Sequence, residues 1–358
     1  MATEPSGAAP STEPKAYPHP PVREEWLARL REDVLEPALP IIDAHHHLWD
    51  RESGRYFLDE LLADARAGHD VLGTVYVQCG TGFRPDGPAE LRPVGETEFV
   101  VGVAEDAARH GHPGICAGIV GFCDFRIGER VDPVLEAHVA AGKGRFRGIR
   151  QIIGWDPAIA SRPTAPSIGG MLADPMFRQG ISRLGRLGLS YETSLYHPQL
   201  GELADLARAF PDLPILANHC AGLILVGPHA ADPAASFAHW RDGLRALAAC
   251  PNVTLKLGGQ AMPVRGWTFH EQVLPPSSGE LANAWRPIME TCIETFGADR
   301  CMFESNFPVD KGLCGYVPIW NAFKRIAAAC SAGEKAALFH DTAARFYRLD
   351  PNLIGAAG

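Results

Sequence analysis

The chain has 358 residues, of which 46% are hydrophobic and 21% are charged, and its formal net charge is −9. The apolar content is typical of a globular protein, and an acidic chain without long runs of lysine or arginine argues against binding to nucleic acid or to a membrane surface. No stretch approaches the roughly 18 apolar residues of a membrane span. Nine cysteines without a CxxC pair indicate free thiols and a cytoplasmic protein.

Residues 1–22 are rich in proline, alanine, serine and threonine. They contain too few apolar side chains to fold alone, so a disordered, flexible arm is predicted there. The remaining residues, 23–358, are expected to form one domain. Apolar residues at helical spacing predict a short entry helix within 23–35.

Three consecutive histidines follow the first strand-like stretch. A short apolar entry at 39–42 runs towards His45, His46 and His47. Because side chains alternate along a strand, His45 and His47 point to one face and His46 to the other. Two neutral imidazoles on one face are close enough to share a metal ion or a substrate.

Seven further strand-like runs alternate with amphipathic helical stretches, at separations of roughly 25 to 50 residues. The runs lie at 72–77, 115–121, 146–149, 189–195, 214–217, 253–257 and 301–303. Eight strands in this rhythm predict an α/β fold, a single-domain (β/α)₈ TIM barrel. The last predicted helix covers 336–347. The long loop at 260–280 is expected to act as a lid over the site.

Polar side chains stand at or near the ends of six of the eight strands. Besides the first-strand histidines they include Gln78, Arg150, His197, His219 and Glu304. Active sites of this fold lie at the carboxyl ends of the strands, so these groups are expected to converge there.

Five motifs of the chain, in this order, resemble the amidohydrolase superfamily. They are Ile42-Asp43-Ala44-His45-His46-His47-Leu48-Trp49, Arg147-Gly148-Ile149-Arg150-Gln151, His197-Pro198-Gln199-Leu200, Asn218-His219-Cys220-Ala221-Gly222 and Phe303-Glu304-Ser305-Asn306-Phe307-Pro308. The first is similar to the HxH signature of the amidohydrolase-related branch, which contains sugar-lactone and pyrone-dicarboxylate lactonases and metal-dependent decarboxylases. The resemblance spans 39–349. It implies that His45, His47 and His219 bind one divalent metal, Zn or Mn, or face the substrate.

The chain departs from the family pattern at the last strand, where Asn306 stands in place of the usual aspartate. An amide cannot take a proton from water near neutral pH, and it is a poor metal ligand beside a carboxylate. Glu304 and Asp310 are both candidates for the missing base, and the sequence leaves them open. Asp310 could instead cap a loop beside Lys311. The departure predicts weak metal binding or a metal-independent enzyme.

Two cations near strand ends need anionic partners, because a lone buried charge is costly. Arg150 and Lys256 are predicted to bind an acidic substrate, together with Gln78 and His197. Lys256 could instead form an ion pair with Glu304. His197 could equally be a loop histidine before a proline.

The expected function is hydrolysis of a lactone or similar cyclic ester of a small acidic or polyhydroxylated substrate. Water would attack the carbonyl, a carboxylate would accept its proton, and a metal or the histidines would polarise the carbonyl oxygen. A decarboxylase on the same scaffold is the alternative, and a barrel that binds a ligand without catalysis is a third reading. A small-molecule substrate and a homo-oligomer are the expected partners.

Overall fold

The computed structural model of the protein describes residues 16–52, 54–160 and 167–355. The first fifteen residues of the arm predicted at 1–22 therefore lie outside the described part of the chain. Eight parallel strands form one sheet in which each strand pairs with the next along the chain. The strands are β1 Pro40–His46, β2 Asp70–Val77, β3 Gly118–Gly121, β4 Phe146–Arg150, β5 Ser190–Thr193, β6 Ile215–Ala217, β7 Val253–Leu257 and β8 Cys301–Phe303.

The sheet closes between its first and last strands through the residues that follow β8. The amide N–H of Asn306 donates to the carbonyl of His45 at 2.9 Å, and that of His47 donates to the carbonyl of Phe307 at 2.7 Å. The predicted TIM barrel is confirmed. Closure also places Asn306 directly beside the first-strand histidines.

Helices surround the barrel and bury their apolar faces against the strands. They are α1 Glu24–Leu27, α2 Leu58–Ala65, α3 Val94–Arg109, α4 Asp132–Ala141, α5 Pro175–Ile181, α6 Leu200–Ala209, α7 Pro233–Ala248, α8 Ser278–Phe296, α9 Tyr316–Ile326, α10 Ala332–Ala336, α11 Thr342–Phe346 and α12 Pro351–Ile354. A two-stranded hairpin, Trp49–Arg51 with Gly54–Tyr56, follows β1.

Two predicted helices differ from the observed ones. The entry helix expected within 23–35 is only α1, because the chain beyond it is bonded to α9 instead of to itself. The Leu35 N–H donates to the Asn321 side chain at 2.9 Å, and Lys324 donates to the Leu35 carbonyl at 2.7 Å. The closing helix expected at 336–347 is interrupted by a π-helical stretch, Ala337–Asp341.

The nine cysteines are all free thiols, as predicted. Within the described ranges, no helix is both long and apolar enough to cross a membrane. The loop predicted as a lid begins after β7 and contains two short 3₁₀ turns, Pro263–Arg265 and Phe269–Glu271, before α8 begins.

Candidate active site

A cavity of about 400 Å³ opens at the carboxyl ends of the strands. His47, Arg150, His219 and Asn306 line it together. His47 directly follows β1, Arg150 ends β4, and the other two lie in the turns after β6 and β8; these positions are distant in sequence and converge only because the barrel closes. The predicted convergence of strand-end residues is therefore found for these four side chains.

His45 and His47 face each other, as the strand alternation predicts. Their Nε2 atoms are 3.2 Å apart. The His47 Nδ1–H donates to the Val77 carbonyl at 2.7 Å, so Nε2 of a neutral His47 ring carries a lone pair and no proton. Burial, reinforced by the nearby Arg150 guanidinium, holds the pKa of His47 well below its usual value. His46 points the other way and contacts Thr74 at 3.0 Å.

The Arg150 guanidinium fills the space next to these lone pairs. Its Nη1 donates to His45 Nε2 at 3.2 Å. A guanidinium only donates, so the proton of a neutral His45 lies on Nδ1, which is 2.7 Å from Glu304 Oε2. Burial, with the nearby Lys256 charge, holds the pKa of His45 well below its usual value. Both first-strand imidazoles are thus neutral, with their Nε2 lone pairs beside a fixed positive charge.

Glu304 joins two of the histidines. Its Oε1 accepts from the His219 Nδ1–H at 2.7 Å and from the His219 backbone N–H at 3.2 Å, while Oε2 lies against His45. Glu304 is fully buried and does not line the cavity, whereas His219 does. Burial lowers the pKa of His219 against the opposing effect of Glu304. His219 therefore presents an unprotonated Nε2, with a carboxylate behind the ring.

A strained turn projects His219 into the site. His219, Cys220 and Ala221 all have positive φ, at 55°, 48° and 52°. Such conformations cost free energy in residues other than glycine and persist only where the surroundings impose them. The buried Arg265 supplies this restraint, because its guanidinium donates to the carbonyls of His219 and Leu223. Sequence reasoning missed Arg265, whose only signal is a lone cation within the loop after β7.

Two glycines after β7 leave room for Glu304 and His219. A Cβ at Gly258 would lie 2.3 Å from Cγ of Glu304, and a Cβ at Gly259 would lie 2.4 Å from Cγ of His219. Gly259 also has φ of +61°. Any side chain at either position would displace Glu304 or His219.

Asp310, one of the two carboxylates expected to act as base, lies behind Asn306. Its Oδ1 accepts from the Asn306 amide at 2.7 Å and its Oδ2 from the Ala261 N–H at 3.2 Å. Asp310 is fully buried and does not line the cavity. Burial raises its pKa to about 8, so it is largely protonated at neutral pH. These contacts indicate that Asp310 holds the Asn306 side chain in place. Of the two carboxylates expected to act as base, Glu304 is the one that contacts the histidines.

The raised pKa of Asp310 predicts a pH-dependent stability. An unfolded aspartate releases its proton near pH 3.8 and the folded one near pH 8, so this group lowers the stability of the fold as pH rises between those values. Asp310→Asn removes the effect. Urea unfolding at several pH values should show that the variant gains stability relative to the unmodified protein from pH 5 to 8. A difference that stays constant over this range would contradict the raised pKa.

Lys256 does not line this cavity, and its role as a substrate contact stays a prediction. It is fully buried, and its Nζ donates to Glu192 Oε2 at 2.9 Å. The alternative partner expected for it, Glu304, is not the one found. Glu192 also accepts from the Tyr347 hydroxyl at 2.6 Å and from Asn218 at 3.1 Å. The group is an ion pair inside the barrel, beneath the histidines.

Gln78 and His197, the other two predicted substrate contacts, lie in different places. Gln78 lines a second cavity of about 620 Å³, which adjoins the first and shares Arg150 and His47 with it. His197 lines neither cavity; its ring packs edge-on against His229 and His239. Position therefore favours Gln78 as a substrate contact and favours the loop-histidine reading for His197.

A metal site can be built from the described residues. His45, His219 and Glu304 offer ligand atoms that all lie within 4.8 Å of one another. Two imidazoles and a carboxylate with an open fourth position are a common zinc set, and Glu304 Oε2 has no well-aligned hydrogen-bond donor among the described residues. The donor chemistry therefore fits one divalent ion. His47, which the sequence suggested as a ligand, lies outside this group.

The chain is similar to several known proteins. The sequence profile of the amidohydrolase family matches residues 42–349. The uncharacterized protein y4mH of Sinorhizobium fredii is 37% identical over 87% of this chain and 99% of that protein. An L-fucono-1,5-lactonase of Burkholderia multivorans is 27% identical over 86% of this chain and 96% of that protein. The crystal structure of a zinc-bound amidohydrolase from Burkholderia multivorans shares the fold, with a TM-score of 0.65 and 23% identity over 87% of this chain and 99% of that one.

Proposed function

Because the chain belongs to the amidohydrolase family, we propose that it opens a lactone or similar cyclic ester of a small acidic or polyhydroxylated substrate. Membership makes it an enzyme of the hydrolase type, and a relative named as a lactonase of a sugar acid supports the choice of substrate. The observation that carries the proposal is the contact between Glu304 and His219 at the cavity wall, at 2.7 Å. A histidine held in one tautomer by a carboxylate is an arrangement that serves general-base catalysis.

In the proposed reaction, His219 Nε2 takes a proton from the attacking water while Glu304 stabilises the imidazolium that forms. The new C–O bond forms at the ester carbonyl, whose oxygen carries the negative charge until the ester C–O bond breaks. The imidazolium then gives its proton to the ring oxygen as the ester C–O bond breaks. The product is the open hydroxy acid, and the bases return to their starting state.

Arg150 lines both cavities and is 3% exposed, so it can contact the substrate directly. Arg150→Lys keeps the charge but loses the forked donor geometry that matches a carboxylate. If Arg150 mainly binds a carboxylate of the substrate, the variant should raise KM about tenfold with a smaller fall in kcat. Steady-state kinetics on an acidic lactone measures both. Equal losses in kcat and kcat/KM would instead place Arg150 at the developing oxyanion.

His45, His219 and Glu304 would hold a divalent ion, and it would supply a Lewis acid for the carbonyl oxygen in place of the base pair, because a metal-bound His219 cannot take a proton from water. Weak binding is proposed, because Arg150 and Lys256 lie 3.2 and 3.3 Å from the two ring nitrogens of His45 and repel a second cation there. Elemental analysis of protein purified without chelator should find clearly less than one ion per chain. Asn306→Asp, which adds a carboxylate at the cavity wall, should raise that content. One firmly held ion in the unmodified protein would contradict weak binding and leave the hydrolase proposal standing.

The proposal is tested by a panel of sugar lactones and aromatic lactones followed with a pH indicator. Hydrolysis releases acid from a neutral lactone, and carbon dioxide is measured in parallel to detect decarboxylation. Acid release that depends on His219 supports the proposal. Carbon dioxide release from aromatic acids without lactone opening would favour the decarboxylase alternative.

A further inference from the structure

Residues 16–22, the described part of the predicted N-terminal arm, lie across the mouth of the barrel. Ala16, Tyr17, Pro18 and His19 all line the cavity that contains His219. This stretch precedes residue 42, at which the match to the amidohydrolase family begins. The wall that it provides is therefore added to the cavity by a part of the chain that the family match does not include.

The segment is fixed to the barrel on both sides of the mouth. Tyr17 packs with the apolar cluster of Ile159, Ile224 and Val264. The Pro20 carbonyl lies so close to Gly312 that a Cβ there would approach it to 2.3 Å. The segment thus contacts the loop after β8 at one end and the loops over β4, β6 and β7 at the other.

The residues that follow anchor it further. Glu24 pairs with Lys311 at 3.0 Å, and the buried Trp26 indole N–H donates to the Gln272 carbonyl at 3.1 Å. Arg29 donates to the Val273 carbonyl at 2.9 Å. Gln272 and Val273 belong to the loop that the sequence predicted as a lid. The chain directly after the N-terminal segment is therefore bonded to this loop.

His19 occupies the junction between the two cavities. It lines both of them, as do Arg51 and Arg150. Two guanidinium groups and an imidazole at one place favour an anion, and a carboxylate can accept hydrogen bonds from all three. The rest of the second cavity is lined by the rings of Trp49, Phe83 and Phe122 and by polar side chains that include Gln78, Gln151 and Arg126.

We propose that Tyr17 and His19 are specificity-determining residues of the substrate site, and that His19 acts with Arg51 and Arg150 to bind a carboxylate of the substrate. The inference rests on the proposed function for the identity of the substrate and goes beyond it by assigning a wall of the site to the N-terminal segment. The neutral part of the substrate then lies towards Tyr17 and its apolar neighbours. Without residues 16–19, that wall of the cavity is missing.

Two truncations and one substitution test the inference. Removal of residues 2–15 is the matched control, because it keeps every lining residue in the part of the chain that the structure describes. Removal of residues 2–19 differs from it by Ala16, Tyr17, Pro18 and His19, which line the cavity. His19→Gln changes one side chain and tests the carboxylate contact even if the longer truncation folds poorly. Circular dichroism establishes which variants are folded.

The kinetic readout compares an acidic sugar lactone with a neutral one of the same ring size. Removal of 2–19 should raise KM for both lactones by at least about tenfold relative to removal of 2–15. His19→Gln should raise KM for the acidic lactone about tenfold more than for the neutral one, because a hydrogen bond to a charged group contributes about that factor. Equal kinetics for the two truncations would overturn the inference. Equal effects of His19→Gln on the two lactones would overturn the carboxylate assignment.

A binding readout separates this inference from the proposed function. Calorimetric titration with glutarate, a small dicarboxylate, should give a dissociation constant about tenfold weaker for His19→Gln and for removal of 2–19 than for removal of 2–15. If the protein opens no lactone but shows this pattern, the proposed function fails and the site stands. If glutarate does not bind the unmodified protein, or binds all variants equally, the carboxylate site is wrong.

Discussion

Glu304→Gln is expected to lower kcat by about 10²- to 10⁴-fold, the usual contribution of general acid–base catalysis. The glutamine has the same shape but carries no charge to stabilise an imidazolium at His219, and its amide nitrogen cannot accept from either histidine. Glu304 touches both His219 and His45 at 2.7 Å, so one change alters both rings. His219→Asn should give a similar loss. The double variant should be little worse than either single one, because residues that act as a unit are not additive.

Glu96→Gln is the matched control for this prediction. Glu96 is another buried glutamate, on α3. Its Oε1 accepts from the Tyr76 hydroxyl on β2 and from three backbone N–H groups after that strand, those of Cys79, Gly80 and Thr81. None of these partners is a histidine of the site. It should therefore lose stability while kcat changes far less than in Glu304→Gln. A Glu304→Gln enzyme with kcat within about tenfold of the unmodified protein would refute general-base assistance by this pair.

Glu192→Leu is expected to destabilise the protein by about 3 to 5 kcal/mol, because it leaves the buried Lys256 charge without its partner. It also removes the acceptor for the Tyr347 hydroxyl and for Asn218. Urea unfolding followed by circular dichroism measures the change. Adding Lys256→Met should recover much of the lost stability, since two apolar side chains of similar volume often replace a buried ion pair at little cost.

The control is an ion pair at the surface. Asp242 and Arg245 form one on α7 at 2.9 Å, with exposed fractions of 68% and 61%. Asp242→Asn should change stability by less than about 1 kcal/mol, as exposed pairs usually contribute little. An effect of Glu192→Leu as small as that of Asp242→Asn would contradict the dependence of the buried Lys256 charge on Glu192.

Much of the fold could be predicted because its information is local. The barrel strands are short apolar runs, six of which have a polar side chain at or near their ends, and parallel packing then brings those ends to one face. His45, His47, Arg150 and His219 are found in this way. Asn306 is identified as a departure because the surrounding motif fixes its place.

The partners of the buried charges could not be predicted, because they depend on depth inside the barrel. Side chains from alternate strands form layers in this fold, and sequence alternation gives the face of a residue but not its layer. Lys256 on β7 therefore pairs with Glu192 on β5, although β6 lies between these two strands, and it does not pair with Glu304 after β8. Asp310 lies only four residues beyond Asn306, yet it is behind that side chain and away from the cavity.

The parts of the site that come from irregular segments had no periodic pattern to reveal them. Arg265 lies in the loop after β7, and its role depends on carbonyls of a turn 42 and 46 residues earlier in the chain. Tyr17 and His19 belong to a stretch whose composition predicts disorder. Their positions depend on surfaces that exist only once the barrel has closed.

The proposed reaction is tested most directly by letting the enzyme convert a lactone substrate in water enriched in oxygen-18. Mass spectrometry then measures the heavy oxygen in the product. Attack by water at the carbonyl predicts one heavy oxygen, located in the new carboxylate, and none in the released hydroxyl. His219→Asn should form little labelled product, because its turnover is lost. Product that has lost carbon dioxide and carries no heavy oxygen would contradict the hydrolase and support decarboxylation.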